Sequence, residues 1–306
     1  MSSTSPVVVL AGGTGGAKLA RGMLDVVGPD DLVVVANTGD DVEIYGAYVS
    51  PDPDLVTFWL ADLIDERGWG LRDDTFHVMD GLRDLDVEVW FNLGDRDLAI
   101  GIERAHALRA GLRLTEAHAR ICAALGVTAR VLPMSDAPVR TRIMADERWW
   151  SLQEFLIRRR GEGPVQDVDF RHARAATPTP EVLDAIRDAR AIVIGPSNPI
   201  ISIGAILALP GLTDALKVSP APVVAVSPLV NGQVLKGPTE AFMHWARRTV
   251  SSSGIATIYE GLIDGLVADE RPRAIPVLQT DVLLGTPAER RRVAEETLAF
   301  ALALRA

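Results

Sequence analysis

Near the start of the chain stands the stretch Val7-Val8-Val9-Leu10-Ala11-Gly12-Gly13-Thr14-Gly15-Gly16-Ala17-Lys18. Its first five residues are apolar and mostly β-branched, which is typical of a buried strand. Glycines follow, which permit positive φ and let backbone N–H groups come close to a ligand. A helical pattern then begins, and its positive end points back at the same turn. The stretch therefore predicts a strand, a phosphate-binding turn and a helix.

The spacing of these glycines departs from both common nucleotide-binding templates. Read from Gly13, the dinucleotide pattern G-x-G-x-x-G meets Lys18 where its third glycine belongs. Read from Gly12, the P-loop pattern meets Ala17 instead of its second glycine and Leu19 instead of its hydroxyl residue. NAD is therefore disfavoured and an ATPase loop is not expected. A glycine-rich turn that binds nothing is the structural alternative.

Composition narrows the class of protein. The chain has 306 residues, of which 48% are hydrophobic, and this is enough for a large core. Its net charge of −10 argues against a nucleic-acid surface. The single Cys122 excludes an intrachain disulfide framework, and the five histidines lack zinc-ligand spacing. We expect a cytoplasmic protein without a signal peptide or a transmembrane helix.

Acidic residues follow the next predicted strand, Leu32 to Ala36. Because strands joined by a helix lie parallel, Asn37 and the two aspartates after it should emerge beside the glycine turn. Pro51 to Asp54 opens a further helix, predicted over residues 55–67. Carboxylates beside a phosphate suggest Mg²⁺ that bridges protein and diphosphate oxygens, although aspartates also cap helices. The acids of this set are Asp40, Asp41, Asp52 and Asp54.

The rest of the chain continues the alternation of strands and helices. A strand over Val87 to Leu93 is followed by Asp95 and Arg96, which are either a surface ion-pair cluster or part of a site. A strand over Ala191 to Ile194 precedes a polar loop. Residues 135–180, with a Trp-rich helix near residue 149, read as an insertion lobe. The pattern predicts one α/β domain over residues 1–306 that carries this lobe.

Two features admit more than one interpretation. Trp69, which stands between two glycines, either packs in the core or stacks on a flat ring. The arginines at 158, 159 and 160 are more typical of a solvated helix face than of a substrate clamp.

Taken in order, these motifs resemble those of the CofD/FbiA family, the 2-phospho-L-lactate transferases of coenzyme F420 biosynthesis. The resemblance covers nearly the whole chain. The motifs that carry it are Gly12-Gly13-Thr14-Gly15-Gly16, Asn37-x-Gly39-Asp40-Asp41, Pro51-Asp52-x-Asp54, Arg67-Gly68-Trp69-Gly70, Leu93-Gly94-Asp95-Arg96-Asp97-Leu98-Ala99 and Gly195-Pro196-Ser197-Asn198-Pro199-x-x-Ser202-Ile203-Gly204.

The resemblance implies a Rossmann-like fold, a mostly parallel sheet with helices on both faces, and a homodimer. It implies transfer of a phospholactyl-type group from a guanylyl diphosphate donor to the deazaflavin FO (7,8-didemethyl-8-hydroxy-5-deazariboflavin). GMP would leave and Mg²⁺ would assist. The transferred acid could be phospholactate, phosphoenolpyruvate or phosphoglycerate, and the residues leave this choice open, as they do the general base. An NAD(P)-dependent oxidoreductase and a nucleotide-sensing protein are the alternatives.

The resemblance also implies roles for individual residues. Asp40 and Asp54 match the metal-binding acids, and Asp54 and Asn92 match positions that hold FO. The glycine turn and the loop from Ser197 to Ser202 would hold the guanine nucleotide, without any nucleic acid as partner. The full set of predicted binding residues is Gly12, Gly13, Thr14, Gly15, Gly16, Lys18, Asn37, Trp69, Asn92, Asp95, Arg96, Ser197, Asn198 and Ser202, with Asp40 and Asp54 as catalytic and metal-binding residues.

Overall fold

The computed structural model describes residues 5–272 and 275–305. The strands in this part of the chain are β1 (Val7–Ala11), β2 (Leu32–Ala36), β3 (Val42–Ile44), β4 (Ala47–Val49), β5 (Arg130–Pro133), β6 (Arg140–Ala145), β7 (Arg148–Ser151), β8 (Asp167–Arg171), β9 (Ala191–Ile194), β10 (Val223–Val226), β11 (Leu229–Val230), β12 (Gln233–Val234), β13 (Gly265–Ala268) and β14 (Val277–Gln279). The α-helices are α1 (Gly13–Val27), α2 (Pro51–Leu60), α3 (His77–Asp84), α4 (Asp95–Arg109), α5 (Leu114–Ala124), α6 (Leu152–Ile157), α7 (Pro180–Asp188), α8 (Ile203–Leu207), α9 (Leu212–Val218), α10 (Thr239–Trp245), α11 (Ser252–Ile258) and α12 (Pro287–Ala303).

A seven-stranded sheet forms the centre of the molecule. Its strand order is β14-β13-β10-β9-β1-β2-β5, and every neighbouring pair is parallel. Along the chain, β1, β2 and β5 follow one another toward one edge of the sheet, and β9, β10, β13 and β14 then follow one another toward the other edge. In such a sheet, ligands bind beyond the carboxyl ends of the strands where this direction reverses. The reversal between β1 and β9 therefore marks the expected site.

Helices cover both faces of this sheet. Along β1, Val8 and Leu10 pack into the apolar cluster that contains α7 and α9, while Val7 and Val9 pack into the cluster that contains α1 and α12. This alternation follows from the two-residue period of a strand, and burial on both faces explains why β1 is apolar throughout. The predicted α/β, Rossmann-like class is confirmed.

The insertion lobe contains a separate antiparallel sheet in the order β7-β6-β8. It lies within the predicted interval 135–180, and Ile143 and Phe155 of the lobe pack with Phe242 in a small apolar cluster. The prediction of a Trp-rich helix was wrong, because Trp149 and Trp150 lie in β7 and the helix begins at Leu152. Ser151 caps that helix, since its hydroxyl accepts a hydrogen bond from the Glu154 N–H.

Two other sequence predictions were wrong. Residues 87–93 alternate like a strand but form an irregular segment, in which Val87 is exposed and Phe91 packs against a small cluster that includes Leu93. The edge position beside β2 belongs instead to β5. Helix α2 also ends at Leu60 rather than at residue 67, and Asp62 then adopts a positive φ of 54°. Among the described residues, no helix has the length and apolar character needed to cross a membrane.

Candidate active site

The glycine turn after β1 packs directly against the loop after β9. The Gly12 N–H donates to the Ser197 Oγ at 3.1 Å. A Cβ added to Gly15 would lie 2.0 Å from the carbonyl oxygen of Pro196, and one added to Gly16 would lie 2.5 Å from the Ser197 Oγ. These glycines are therefore required for contact between two loops of the protein. The sequence interpretation had assigned their smallness to the approach of a ligand.

Gly15→Ala is accordingly expected to destabilise the fold by about 1–3 kcal/mol, because the added methyl group overpacks a backbone contact. It should also weaken GDP binding, since the two loops that line the site would separate. The measurement is thermal melting together with GDP titration. Gly81→Ala is the matched control, because a Cβ at Gly81 meets no atom within 4 Å. A Gly15→Ala protein as stable as Gly81→Ala, with unchanged GDP affinity, would contradict this account.

A cleft of about 390 Å³, called the central cleft below, opens where these two loops meet. The predicted residues that line it are Gly12, Gly13, Thr14, Gly15, Lys18, Asn37, Asp40, Ser197, Asn198 and Ser202. The structure adds Asp52, the segment Leu235–Thr239 and the segment Val282–Gly285. The residues Lys236-Gly237-Pro238-Thr239 are typical of a polar turn, whereas nothing in the sequence pointed to the apolar segment near residue 283.

The positive end of helix α1 and the ammonium group of Lys18 face this cleft. Helix α1 begins at Gly13, and the first N–H groups of a helix have no partner within it. The Gly13 N–H donates to the Asp52 Oδ1 at 2.5 Å, which leaves the N–H groups of Thr14 and Gly15 for a ligand. Burial, and then the charge of Arg290, lower the pKa of Lys18. An anion bound at this turn would therefore restore a favourable environment for the Lys18 ammonium group.

Two buried carboxylates, those of Asp40 and Asp52, line the cleft beside the glycine turn. The Asn37 side-chain amide donates to the Asp52 Oδ2 at 2.9 Å and approaches the Asp40 Oδ1 at 3.5 Å. Gln153 donates to the Asp40 Oδ2 at 3.1 Å. Burial raises the pKa of Asp40 well above its usual range, and the charges of Asp52 and Asp41 raise it further. Burial also raises the pKa of Asp52 to about 6.

This carboxylate pair lacks a compensating cation. Within residues 5–272 and 275–305, neither Asp40 nor Asp52 forms an ion pair within 4 Å. Concentrated negative charge beside an anion-binding turn is a suitable setting for a divalent cation. The described residues nevertheless contain no group of three metal-ligating side chains, so oxygens of a ligand would have to complete such a site.

Asp54 lies in a different environment, although it is only two residues from Asp52. It is buried and ion-paired with Arg104 of α4, whose Nη1 donates to the Asp54 Oδ2 at 3.0 Å and whose Nη2 contacts the Oδ1. The Arg104 Nη1 also donates to the Tyr48 carbonyl oxygen at 2.9 Å. Asp54 is absent from the residues that line the central cleft. The shared Mg²⁺ site of Asp40 and Asp54 stays a prediction.

The residues predicted near α4 lie outside the cleft lining. The Asp95 carboxylate accepts hydrogen bonds from the Thr75 hydroxyl and from the N–H groups of His77 and Val78, and so caps α3. Asn92 accepts a hydrogen bond from Arg83 at 2.7 Å. Arg96 donates to the Arg72 carbonyl oxygen at 3.1 Å. These contacts are structural, and a role of Asn92, Asp95 or Arg96 in binding stays a prediction.

Trp69 lies at the rim of the central cleft. Its side chain is 51% exposed, so the interpretation as a core residue was wrong. The Lys236 Nζ, which belongs to the cleft lining, stands 3.8 Å from the centre of the Trp69 ring. This cation–π contact joins the loop at residue 69 to the loop at residue 236 across the mouth of the cleft.

Solved structures support the fold. The chain is similar to a protein of the upf0052 family from Bacillus halodurans, with a TM-score of 0.54 and 18% identity, over 88% of this chain and 82% of that one. At this identity the likeness concerns the fold alone.

Sequence comparison is more specific. The chain is 40% identical over 269 residues to a 2-phospho-L-lactate transferase of Methanosarcina mazei, and this match covers 88% of each chain. It is 38% identical over 298 residues to a phosphoenolpyruvate transferase of Kitasatospora aureofaciens, which covers 90% of this chain and 93% of the relative. The family model for 2-phospho-L-lactate transferase CofD matches residues 7–291. The strand, the glycine turn and the acidic loops thus belong to a transferase, and the chain is a member of the CofD family.

Proposed function

We propose that this enzyme transfers a phospholactyl-type group from a guanylyl diphosphate donor to the deazaflavin FO and releases GMP. The observation that carries the proposal is the central cleft, which sets the start of helix α1 beside two buried carboxylates. The names of its relatives, 2-phospho-L-lactate transferase and phosphoenolpyruvate transferase, support a small phosphorylated acid as the group transferred. In the reaction, a hydroxyl oxygen of FO forms a bond to the phosphorus that carries the acid, the bond from that phosphorus to the phosphate oxygen of GMP breaks, and the hydroxyl proton is released to solvent.

The residues of the cleft divide into two binding regions. The N–H groups of Thr14 and Gly15 and the Lys18 ammonium group would hold the diphosphate, because helix starts and lysines bind such anions. The apolar wall from Val282 to Leu284 and the segment 235–239 line the part of the cleft that suits a base. This arrangement orients the donor with its diphosphate toward Asp40.

The carboxylates of Asp40 and Asp52 fit Mg²⁺, because burial and the charge of Asp52 raise the pKa of Asp40, and a cation would offset both effects. Asp40 would hold the ion together with diphosphate oxygens. Asp52 lines the same cleft, and Asp54 can also take part, since a carboxylate has about four acceptor positions and Arg104 uses two. When bound, Mg²⁺ would neutralise charge that develops on the departing phosphate. Homodimerisation is a further proposal that rests on the family resemblance, and a cytoplasmic location is one that rests on the composition of the chain.

The decisive experiment incubates the enzyme, FO and Mg²⁺ with the guanylyl diphosphate of lactate, enolpyruvate or glycerate in competition. We expect one F420 precursor to dominate and GMP to form in equal amount, as measured by mass spectrometry. Thermal shifts with GDP, FO and NADH provide an independent check, because selective binding to the folded state raises its stability. A shift with NADH alone and no product from any donor would favour the oxidoreductase alternative.

FO is expected to quench tryptophan fluorescence, and Trp69→Leu should remove most of that quenching. The exposed Trp69 ring offers a flat surface, and a planar ligand would stack on its free face or displace Lys236. Titration with FO under tryptophan excitation measures the effect. Trp245→Leu is the control for the loss of one indole. If Trp69→Leu binds FO with unchanged affinity and unchanged quenching, Trp69 has no part in the acceptor site.

A further inference from the structure

A second cavity, of about 330 Å³, lies on the lobe side of Asp40. We call it the basic cavity because arginines dominate one wall. Its lining residues are Gly39, Asp40, Asp41, Val42, Glu43, Arg140, Thr141, Arg142, Ser151, Leu152, Gln153, Arg171 and His172. Asp40 and Leu152 also line the central cleft, and Gln153 donates to the Asp40 Oδ2. The two cavities therefore meet at Asp40.

The lobe sheet concentrates positive charge on this wall. Arg140 and Arg142 are half-buried on one face of β6, whereas the residues between and after them are buried on the other. Arg171 of β8 stands directly opposite Arg140. Like charges directly opposite each other on antiparallel strands destabilise a sheet. A bound anion would offset this cost.

Two of these three guanidinium groups lack a hydrogen-bond partner among the described residues. In the described ranges, the side chains of Arg142 and Arg171 have no hydrogen bond and no ion pair, and the Arg142 guanidinium group stands 4.9 Å from the centre of the Trp149 ring. Arg140 donates to the Val139 carbonyl oxygen at 2.8 Å and to the Tyr48 hydroxyl at 3.2 Å. Half-buried arginines are normally paired, so the Arg142 guanidinium group indicates an absent anionic partner, and the exposed Arg171 adds positive charge at the same cavity.

Among the described residues, the acids near this cavity form no ion pair with Arg142 or Arg171, although the charges of Asp41 and Glu43 raise the pKa of Arg140. One oxygen of Asp41 accepts a hydrogen bond from the Ser50 hydroxyl at 2.7 Å, and Asp40 accepts one from Gln153. Glu43 also lines the cavity, and Asp169 stands opposite Arg142 in the sheet, but among the residues that the structure describes neither is within 4 Å of an arginine nitrogen of this wall. The Thr141 Oγ1 is also buried, and it has no hydrogen-bond partner among the described residues.

We propose that the basic cavity binds the carboxylate of the acid that the donor carries, through Arg142 and Arg171. This inference rests on the proposed function. With the diphosphate at the glycine turn, the acid on the terminal phosphorus extends past Asp40 toward the lobe. A planar carboxylate accepts paired hydrogen bonds from a guanidinium group. Lactate, enolpyruvate and glycerate all carry this carboxylate, so the cavity selects the class of acid rather than one member.

The test compares two donors, guanylyl diphospholactate and its isopropyl analogue, in which a methyl group replaces the carboxylate. We expect wild-type protein to bind the lactyl compound at least about tenfold more tightly, by calorimetric titration, since a hydrogen bond to a charged group is lost in the analogue. Arg142→Gln and Arg171→Gln should each bring this ratio toward one and leave GDP affinity unchanged. Because Arg171 is exposed, its variant keeps the test valid if Arg142→Gln fails to fold.

Arg148→Gln is the matched control, because Arg148 is an exposed arginine of the same sheet that stacks on Trp150 and does not line the basic cavity. Equal donor ratios in wild type and both variants, with GDP bound and product formed, would overturn this inference and leave the proposed function intact. Variants that weaken FO binding instead would assign the cavity to the acceptor and also overturn it. A wild-type protein that binds neither GDP nor donor would overturn both.

Discussion

Asp40→Asn is expected to lower turnover on the order of a hundredfold or more without loss of folding stability. The carboxylate lines the central cleft, has no ion-pair partner within 4 Å in the described part of the chain, and has a strongly raised pKa. Asn keeps its shape and removes its charge. A cation that stabilises the transition state by several kcal/mol would account for a rate loss of this size.

Initial rates of phospholactyl transfer over a range of Mg²⁺ concentrations measure this effect. Excess Mg²⁺ should partly rescue the variant, because the missing charge mainly weakens metal binding. Asp41→Asn is a useful comparison, since Asp41 is a buried neighbour that does not line the central cleft. The metal assignment would be abandoned if Asp40→Asn kept near wild-type turnover, or if the wild-type enzyme worked fully in EDTA.

The pH dependence of stability provides a second readout for Asp40. Burial raises its pKa in the folded state, so the folded protein binds this proton more tightly than the unfolded chain does. Without bound metal, wild-type stability should therefore fall as pH rises above about 3.9, the usual value for Asp. Asp52, with a pKa of about 6, and Asp41, with a pKa of about 7, contribute in the same direction. Asp40→Asn should flatten this fall, and its melting temperature at neutral pH should be unchanged or higher.

Asp54→Asn is expected to behave differently, with a loss of about 3–5 kcal/mol in the free energy of unfolding. It removes one partner of a buried ion pair and leaves the Arg104 guanidinium group without its counter-charge. Arg104→Gln should cost a similar amount, because it leaves the buried Asp54 carboxylate uncompensated. Urea denaturation at neutral pH measures both changes.

A double-mutant cycle separates this pairing from other effects. Asp54→Asn combined with Arg104→Gln should cost less than the sum of the single changes, since the second replacement removes a charge that the first left unpaired. Asp62→Asn with Arg21→Gln is the comparison pair nearer the surface, in which Asp62 is exposed and Arg21 is half-buried, and we expect a coupling energy of about 0–1 kcal/mol. Additive costs for Asp54 and Arg104 would show that the ion pair is not what stabilises this region.

These two predictions give Asp40 and Asp54 different expected effects on stability, although the sequence interpretation placed both at one metal site. From spacing alone, Asp40 and Asp54 both follow the glycine turn on neighbouring loops. Within α2, the direction of an acidic side chain depends on its position in the helix. Asp52 faces Asn37, whereas Asp54 faces α4. Residues two apart in a helix point to different sides, so one of the two acids reaches the cleft and the other reaches Arg104.

The sequence by itself determined the order of the first elements, the parallel class of the sheet, the glycine turn and the family. These features follow from local patterns, such as the two-residue period of a strand and the freedom of glycine, and from motifs kept in order along the chain. Residues 87–93 show where this reasoning fails. Their alternation of apolar and polar residues is typical of a strand, but a strand also needs a neighbouring strand with which to pair, and local sequence does not show whether one is present.

Only the tertiary structure decided which side chains share a cavity. Arg104 pairs with Asp54 across 50 positions of sequence, and Gln153 reaches Asp40 across 113. Pro196, not a ligand, sets the size limit at Gly15. The arginines of the basic cavity converge because β6 and β8 pair in one register, and a shift by a single residue would turn their side chains to the opposite face. Such contacts depend on how separate elements pack, and packing is a property of the whole chain rather than of any stretch within it.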